Sequence, residues 1–246
     1  MIRTLIVLTF YAIMIPLIGP VGIIWTFLSG SVDWLYNRAM WAAYTGVRLA
    51  GVKIDLRGYH DFDHNGTYIY MCNHVSNLDP PIVIPLIPRR ASVLVKKEVF
   101  RVPIMAQAMR MARFVAVDRR NREAAIASIQ AATDVMRSGI NMAIFPEGTR
   151  SPTGKLLPFK KGPFHLAMES KIPVLPISIS GTETLMGKGT IRIKKGTALV
   201  VFHPPIYPEK FADRDELTDA VRAAIASGLP AEMRDEVSAK GENRPT

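Results

Sequence analysis

The chain has 246 residues, is 48% hydrophobic, and carries 31 Lys and Arg against 21 Asp and Glu, a net charge of +10. That length suits one compact domain, and so apolar a chain is not disordered. A single cysteine, Cys72, excludes an internal disulfide and a cysteine-built metal site.

Residues 5–28 contain no charged side chain. As one helix they would run roughly 36 Å, against a bilayer hydrocarbon core of about 30 Å. Pro16, Gly19, Pro20 and Gly22 interrupt the run and leave two apolar pieces, 5–15 and 21–28, each too short to cross. All three tryptophans follow at Trp25, Trp34 and Trp41, with Tyr36 and Tyr44 beside them. Such rings settle at the headgroup level, where one edge is apolar and the other wet. The pattern predicts a broken hydrophobic hairpin dipped into one leaflet, with residues 32–50 as an amphipathic helix at the interface. A tilted, kinked span is the alternative. A cleaved signal peptide would want a stronger basic start than Arg3 and a clearer cleavage site than Ser29-Gly30-Ser31.

Beyond residue 52, short apolar runs predict strands at 67–72, 91–95, 114–117, 142–145, 174–179, 190–193 and 198–202. Helices are predicted at 122–137, where Ala125, Ile129, Ala132 and Met136 share a face, and at 213–226, through Leu217, Val221 and Ile225. This alternation predicts one α/β domain over residues 51–235, with a mixed, largely parallel central sheet flanked by helices. Residues 1–50 form the hydrophobic, aromatic anchoring segment ahead of it, and 236–246 a polar C-terminal tail.

Most of the positive charge has one address. Residues 89–122 hold ten Lys and Arg against Glu98 and Asp118, a net +8. No nucleic-acid motif accompanies that charge, so an anionic bilayer or a phosphate-bearing ligand fits it better than nucleic acid.

The chemistry-bearing residues follow strands. After the run 67–72 comes Asn73-His74-Val75-Ser76-Asn77-Leu78-Asp79-Pro80-Pro81. On a strand-to-helix turn, His74 and Asp79 can fold back so that the carboxylate holds one ring nitrogen and leaves the other as a base. Asp79 before Pro80 equally reads as a helix N-cap, and the two roles are compatible. After the run 142–145 comes Phe145-Pro146-Glu147-Gly148-Thr149-Arg150-Ser151. Gly148 frees the backbone to approach a ligand; Glu147, Thr149 and Arg150 offer an acceptor, a hydroxyl and a cation. Arg150 and Arg119 can each grip a phosphate bidentately, and an ordinary glycine-containing turn is the competing reading of this segment. Lys160-Lys161-Gly162 opens the next helix, whose N-terminus could help hold an anion. Ser76 lies in no G-x-S-x-G elbow, and Cys72 reads as a small buried strand residue. His60, His64, His165 and His203 lack metal-ligand spacing, so no metal site is expected.

In order along the chain, Asn73-His74-x4-Asp79, Val117-Asp118-Arg119, Phe145-Pro146-Glu147-Gly148-Thr149-Arg150 and Ile172-Pro173-Val174-Leu175-Pro176-Ile177 resemble the four motif blocks of the glycerolipid acyltransferases, specifically the 1-acylglycerol-3-phosphate acyltransferases. The likeness covers roughly residues 50–205. It implies that His74 is the general base and Asp79 its partner. It implies that Arg119, Glu147, Gly148, Thr149 and Arg150 bind the phosphate of the acceptor. Ile172, Pro173, Val174 and Pro176 would help shape an acyl-donor pocket. The reaction so implied moves an acyl chain from a thioester, acyl-CoA or acyl-ACP, to lysophosphatidic acid, giving phosphatidic acid. It needs no bound cofactor and no covalent acyl-enzyme. The expected place is the membrane, at the cytoplasmic face of the bacterial inner membrane. Another lyso-lipid acceptor, such as a lyso-ornithine lipid, and a lipid ester hydrolase are the competing readings.

Overall fold

The computed structural model describes residues 1–117 and 122–234, without the side chains of 122–126. Arg119 and the expected polar tail at 236–246 therefore lie outside the described residues.

Seven strands form one sheet: β1 (Val52–Arg57), β2 (Ile69–Cys72), β3 (Ala91–Lys96), β4 (Val115–Val117), β5 (Asn141–Ile144), β6 (Val174–Ser180) and β7 (Gly196–Phe202). Their order is β1-β7-β6-β2-β5-β3-β4. All pairs are parallel except β6–β7. The expected mixed, largely parallel sheet is present. Every residue of β2, β5 and β6 is buried, as parallel strands covered on both faces require.

Alternate residues of these strands feed two separate cores. Tyr70, Cys72, Leu175 and Ile177 face one side, which α3 (Asp79–Leu86) and the end of α2 (Asp33–Leu49) cover. Ile69, Met71, Met142 and Val174 face the other, under α5 (Arg122–Arg137), α6 (Lys161–Ser170) and α8 (Arg214–Ser227). α8 shows the local logic. Asp213 caps it by accepting from the Asp215 and Glu216 amides at 2.8 and 2.9 Å, a contribution of about 1 kcal/mol. Leu217, Val221 and Ile225 are each completely buried beneath it, stabilising by about 1.5–3 kcal/mol apiece.

The N-terminal segment departs from the expected broken hairpin. α1 (Ile2–Ser29) is one continuous 28-residue helix that runs through Pro16 and Pro20. Proline removes only its own N–H and bends a helix, and here the flanking turns keep it going. Gly30, in the left-handed conformation, ends α1, and the chain returns antiparallel as α2. The glycines are contact points instead of breaks. Thr4, Val7, Gly19 and Gly22 are the buried residues of α1, a helically spaced stripe of mostly small side chains against the rest of the protein. A Cβ on Gly22 would meet Leu35 Cδ1 at 2.5 Å. The bulky residues Leu5, Leu8, Ile13, Leu17, Ile24, Phe27 and Leu28 point outward. Small residues inward and large apolar ones outward is the reverse of a water-exposed helix, and matches helix contacts made in lipid.

Two strand expectations also change. β1 (Val52–Arg57) forms ahead of the first predicted strand, and residues 190–193 form no strand. The Ile193 amide instead donates to Thr4 Oγ1 at 3.0 Å and the Lys194 amide to the Leu185 carbonyl at 2.9 Å, so its backbone groups are taken by α1 and by α7 (Thr182–Leu185).

Candidate active site

β2, β3, β5 and β6 run parallel, so their carboxyl ends share one edge of the sheet, where open α/β folds carry ligands. His74 emerges there. Before it, the side chain of Asn73 extends the β2–β6 ladder past Cys72: its Nδ2 donates to the Ile179 carbonyl at 2.9 Å and its Oδ1 accepts from the Ile179 amide at 2.8 Å. The chain then turns, and Asp79 opens α3.

Asp79 is completely buried and meets four donors. His74 Nδ1 lies 2.9 Å from its Oδ2, which also accepts from the Val75 and Ser76 amides at 2.7 Å each. Thr182 Oγ1 donates to its Oδ1 at 2.6 Å. The carboxylate thus reaches back into the 74–76 turn and makes no capping bond to its own helix, unlike an N-cap. Nδ1 facing a carboxylate is the protonated nitrogen, which leaves Nε2 with its lone pair available. The ring of His74 stacks on Phe145, with centroids 4.3 Å apart.

Glu147 is placed differently from the expectation of a ligand-facing acceptor. It is 1% exposed; its Oε1 accepts from the His74 amide at 2.7 Å and its Oε2 from the Leu157 amide at 2.9 Å. The Ser151 amide donates to the His74 carbonyl at 2.8 Å. Both backbone groups of His74 are therefore held by the 145–151 segment, and the carboxylate is turned inward as a strut. Burial pushes the Glu147 carboxyl up to about 7, against the pull of its two amide bonds and with the Asp79 charge adding to the rise.

On Phe145, against which the His74 ring stacks, opens a cleft of about 340 Å³ that is also lined by Leu94, Pro146, Gly148, Lys160 and Gly162, among others; neither His74 nor Asp79 lines it. Gly148 has φ 73°, a conformation that glycine adopts without strain. Thr149 is exposed and Arg150 half-buried on the same turn, and Lys188 Nζ donates to the Arg150 carbonyl at 2.9 Å. Lys160 precedes α6. His74, Asp79, Gly148, Thr149 and Arg150 are thus gathered at one edge.

Ile172, Pro173, Val174 and Pro176 are not. Val174 pairs with Ile69 and Pro176 with Met71, so the block begins at the opposite end of β6 from His74. Val174 packs fully buried in the core, with Ile172 against the same cluster. Two nearby nucleophile types are also committed. Ser76 Oγ donates to the Met186 carbonyl at 2.6 Å and accepts from the Leu78 amide at 3.1 Å. Cys72 is buried, and burial with the Asp79 and Glu147 charges holds its thiol well above the usual range. Thr182 is the functional neighbour that motif reading missed; nothing in its surroundings in sequence marks it.

Comparison with known proteins gives a consistent result. Residues 53–180 match the model of the Acyltransferase family. The 1-acyl-sn-glycerol-3-phosphate acyltransferase of Limnanthes alba is 33% identical over 210 residues, covering 84% of this chain and 69% of its own. That of Cocos nucifera is 34% identical over 177 residues, 71% of this chain and 58% of its own. The human alpha enzyme of that name is 31% identical over 180 residues, 72% and 64% respectively. The chain thus spans 58–69% of the length of these relatives. The crystal structure of the 1-acyl-sn-glycerophosphate acyltransferase PlsC from Thermotoga maritima superposes with a TM-score of 0.80 at 25% identity, covering 92% of this chain and 93% of that one. With the matched segment containing both the His74–Asp79 turn and the 145–151 turn, the chain belongs to the acyltransferase family, among the 1-acyl-sn-glycerol-3-phosphate acyltransferases.

Proposed function

We propose that the protein transfers an acyl chain from an acyl thioester, carried on coenzyme A or acyl carrier protein, to the free sn-2 hydroxyl of 1-acylglycerol-3-phosphate. The observation that carries this reading is the His74 Nδ1–Asp79 Oδ2 contact of 2.9 Å, with Asp79 itself fixed by two amides and Thr182. That arrangement holds one tautomer of His74 and one ring orientation. Nε2 removes the hydroxyl proton as the oxygen attacks the thioester carbonyl, while the adjacent carboxylate stabilises the imidazolium. The tetrahedral intermediate collapses by breaking the C–S bond. The thiolate leaves and takes the proton back from His74, so the base is regenerated without an acyl-enzyme. A positioned base of this kind supplies about 10²–10⁴ in rate.

Thr149, Arg150 and the backbone at Gly148 are suited to the acceptor's phosphate, with Arg119 as a second cation, and Gly148 lines the cleft beside Phe145. Glu147 acts in this scheme by fixing the His74 backbone. The outward apolar face of α1, together with Trp25, Trp34 and Trp41, each substantially exposed, supports residence in one leaflet of a membrane, in bacteria the cytoplasmic leaflet of the inner membrane. Contacts of α1 with the α/β domain at Thr4 and Gly19 favour a helix lying along that domain over one that projects across a bilayer.

A matrix of donors against acceptors tests this, using purified protein in liposomes. Acyl-CoA and acyl-ACP are each paired with lysophosphatidic acid, other lysophospholipids and a lyso-ornithine lipid. Phosphatidic acid formed fastest from lysophosphatidic acid is the expected result. Faster turnover of an acceptor without a phosphomonoester, or thioester cleavage that no acceptor accelerates, contradicts it.

A further inference from the structure

Beyond α2, the exposed large hydrophobic side chains among the described residues are Leu56, Val99, Val102, Ile191 and Tyr207. Three of these, Val99, Val102 and Ile191, at 37, 49 and 69% exposure, lie on two loops. Both loops leave the catalytic edge of the sheet. One is the segment 97–102 that follows β3, made of the 3-10 turn Lys97–Arg101 and the residue after it; the other is the stretch 187–195 between α7 and β7. Leu56 and Tyr207 lie toward the opposite edge, where β1 ends and where Ile206 pairs with Val174.

Each loop surrounds its aliphatic side chains with exposed cations. Lys96, Lys97 and Arg101 flank Val99 and Val102; Arg192, Lys194 and Lys195 flank Ile191. The stretch 186–195 contains no acidic residue, and the one acid of the first loop, Glu98, is paired with Lys96 at 3.3 Å. Each loop is also fastened to α1. Thr4 Oγ1 donates to the Ile191 carbonyl at 3.3 Å and accepts from the Ile193 amide at 3.0 Å. Gly19 packs against Ile104, two residues past Val102. The two attachment points are 15 residues apart on α1, roughly 22 Å along the helix. Next to the first point Met1, Ile2 and Leu5 are exposed, and next to the second Ile15, Leu17 and Val21.

We propose that these two loops form a second contact with an anionic lipid bilayer, made by the α/β domain itself, which holds the mouth of the catalytic cleft at the headgroup layer. Exposed aliphatic side chains among cations are what an interface of apolar chains and phosphates accommodates. Continuity with the outward face of α1 selects the bilayer over a soluble acidic protein as the occupant. The contact rests on the membrane reading above and adds to it the orientation of the domain. It gives a lyso-lipid a route from the leaflet to His74 without leaving the interface.

The test places an environment-sensitive nitrobenzoxadiazole probe on Ile191→Cys, on Val102→Cys, and on Leu56→Cys at the opposite edge, each in the full chain. The native Cys72 is buried and does not compete for label. Vesicles of phosphatidylglycerol and phosphatidylcholine are added, with and without nitroxide-bearing lipid. The three native tryptophans, all between residues 25 and 41, report the anchor independently. Blue-shifted, nitroxide-quenched emission at 191 and 102 but not at 56, weakened when phosphatidylglycerol is omitted, is the expected result. Quenched tryptophan with water-like emission at 191 and 102 overturns the second contact while the membrane reading stands. Unquenched tryptophan overturns both. A probe response to an acidic acyl carrier protein but not to vesicles assigns the surface to that protein and overturns the bilayer contact.

Discussion

Asp79 is a carboxylate with no water contact and four donors around it. Burying such a group unpaired would cost several kcal/mol, so each donor matters to the fold as well as to His74. Thr182 is the donor whose removal is cleanest, because its side chain is buried and replacement by Val keeps the shape. Thr182→Val should lower unfolding stability by about 1–3 kcal/mol, the cost of leaving a buried acceptor without its partner. It should also lower kcat by about ten-fold with little change in KM, since about 1.4 kcal/mol corresponds to that factor. Thr182→Ser, which restores the hydroxyl, should recover most of the rate; failure to do so would assign Thr182 to packing alone.

Glu147 gives a second check at this scale. Its carboxyl is raised to about 7 in the folded protein, against an ordinary value near 4.5. Between those values the folded chain holds a proton that the unfolded chain has lost, so its contribution to stability falls as pH rises through the window. The decline amounts to about 3 kcal/mol across the full range. In Glu147→Gln this group no longer titrates, and urea unfolding from pH 5 to 8 should show a flatter slope than the parent protein. Equal slopes would contradict the assignment. The glutamine also turns its carboxamide NH2, a donor, toward one of the two backbone N–H groups that the carboxylate accepts from, so His74 loses part of its support and activity should fall as well.

Among the elements, α1 carries the clearest lesson about what a linear pattern conveys. Length, lack of charge and the tryptophans were legible in the sequence, as was the helix at 32–50, observed as Asp33–Leu49. The expected break at Pro16 to Gly22 was not formed, because glycine in an apolar helix can mean either flexibility or close contact, and only the partner decides. That partner is Leu35 for Gly22. Gly22→Leu should force α1 from α2, costing about 1–3 kcal/mol as an overpacked contact does, and shift the emission of the adjacent Trp34. An unchanged melting temperature and spectrum would contradict the close-contact reading. β1 escaped notice because its sequence Val-Lys-Ile-Asp-Leu-Arg is half charged, yet it lies at the sheet edge, where one face meets water. Residues 190–193 show the converse: alternation was present, but Thr4 and Leu185 took its hydrogen bonds.

For the whole molecule, the sheet order explains why two motif blocks separated by 73 residues become one site: β2 and β5 are direct neighbours and parallel. His74 and Asp79 were readable because a local turn joins them. Glu147 as a strut and Thr182 as a donor were not, since both act through contacts across the sheet that no spacing encodes. The Ile172–Pro176 block begins at the end of β6 away from His74, a placement its spacing does not convey, because a strand has two ends and its sequence does not say which one lies nearer the turn.

The central claim is that His74, oriented by Asp79, is the base for acyl transfer at a membrane surface. Its most direct test is His74→Ala in purified, liposome-bound protein, with phosphatidic acid formation and quenching of the native tryptophans by nitroxide-bearing lipid read on the same sample. The account predicts a loss of about 10²–10⁴ in rate with quenching unchanged. A variant that stays bound and forms phosphatidic acid at the parent rate would contradict it.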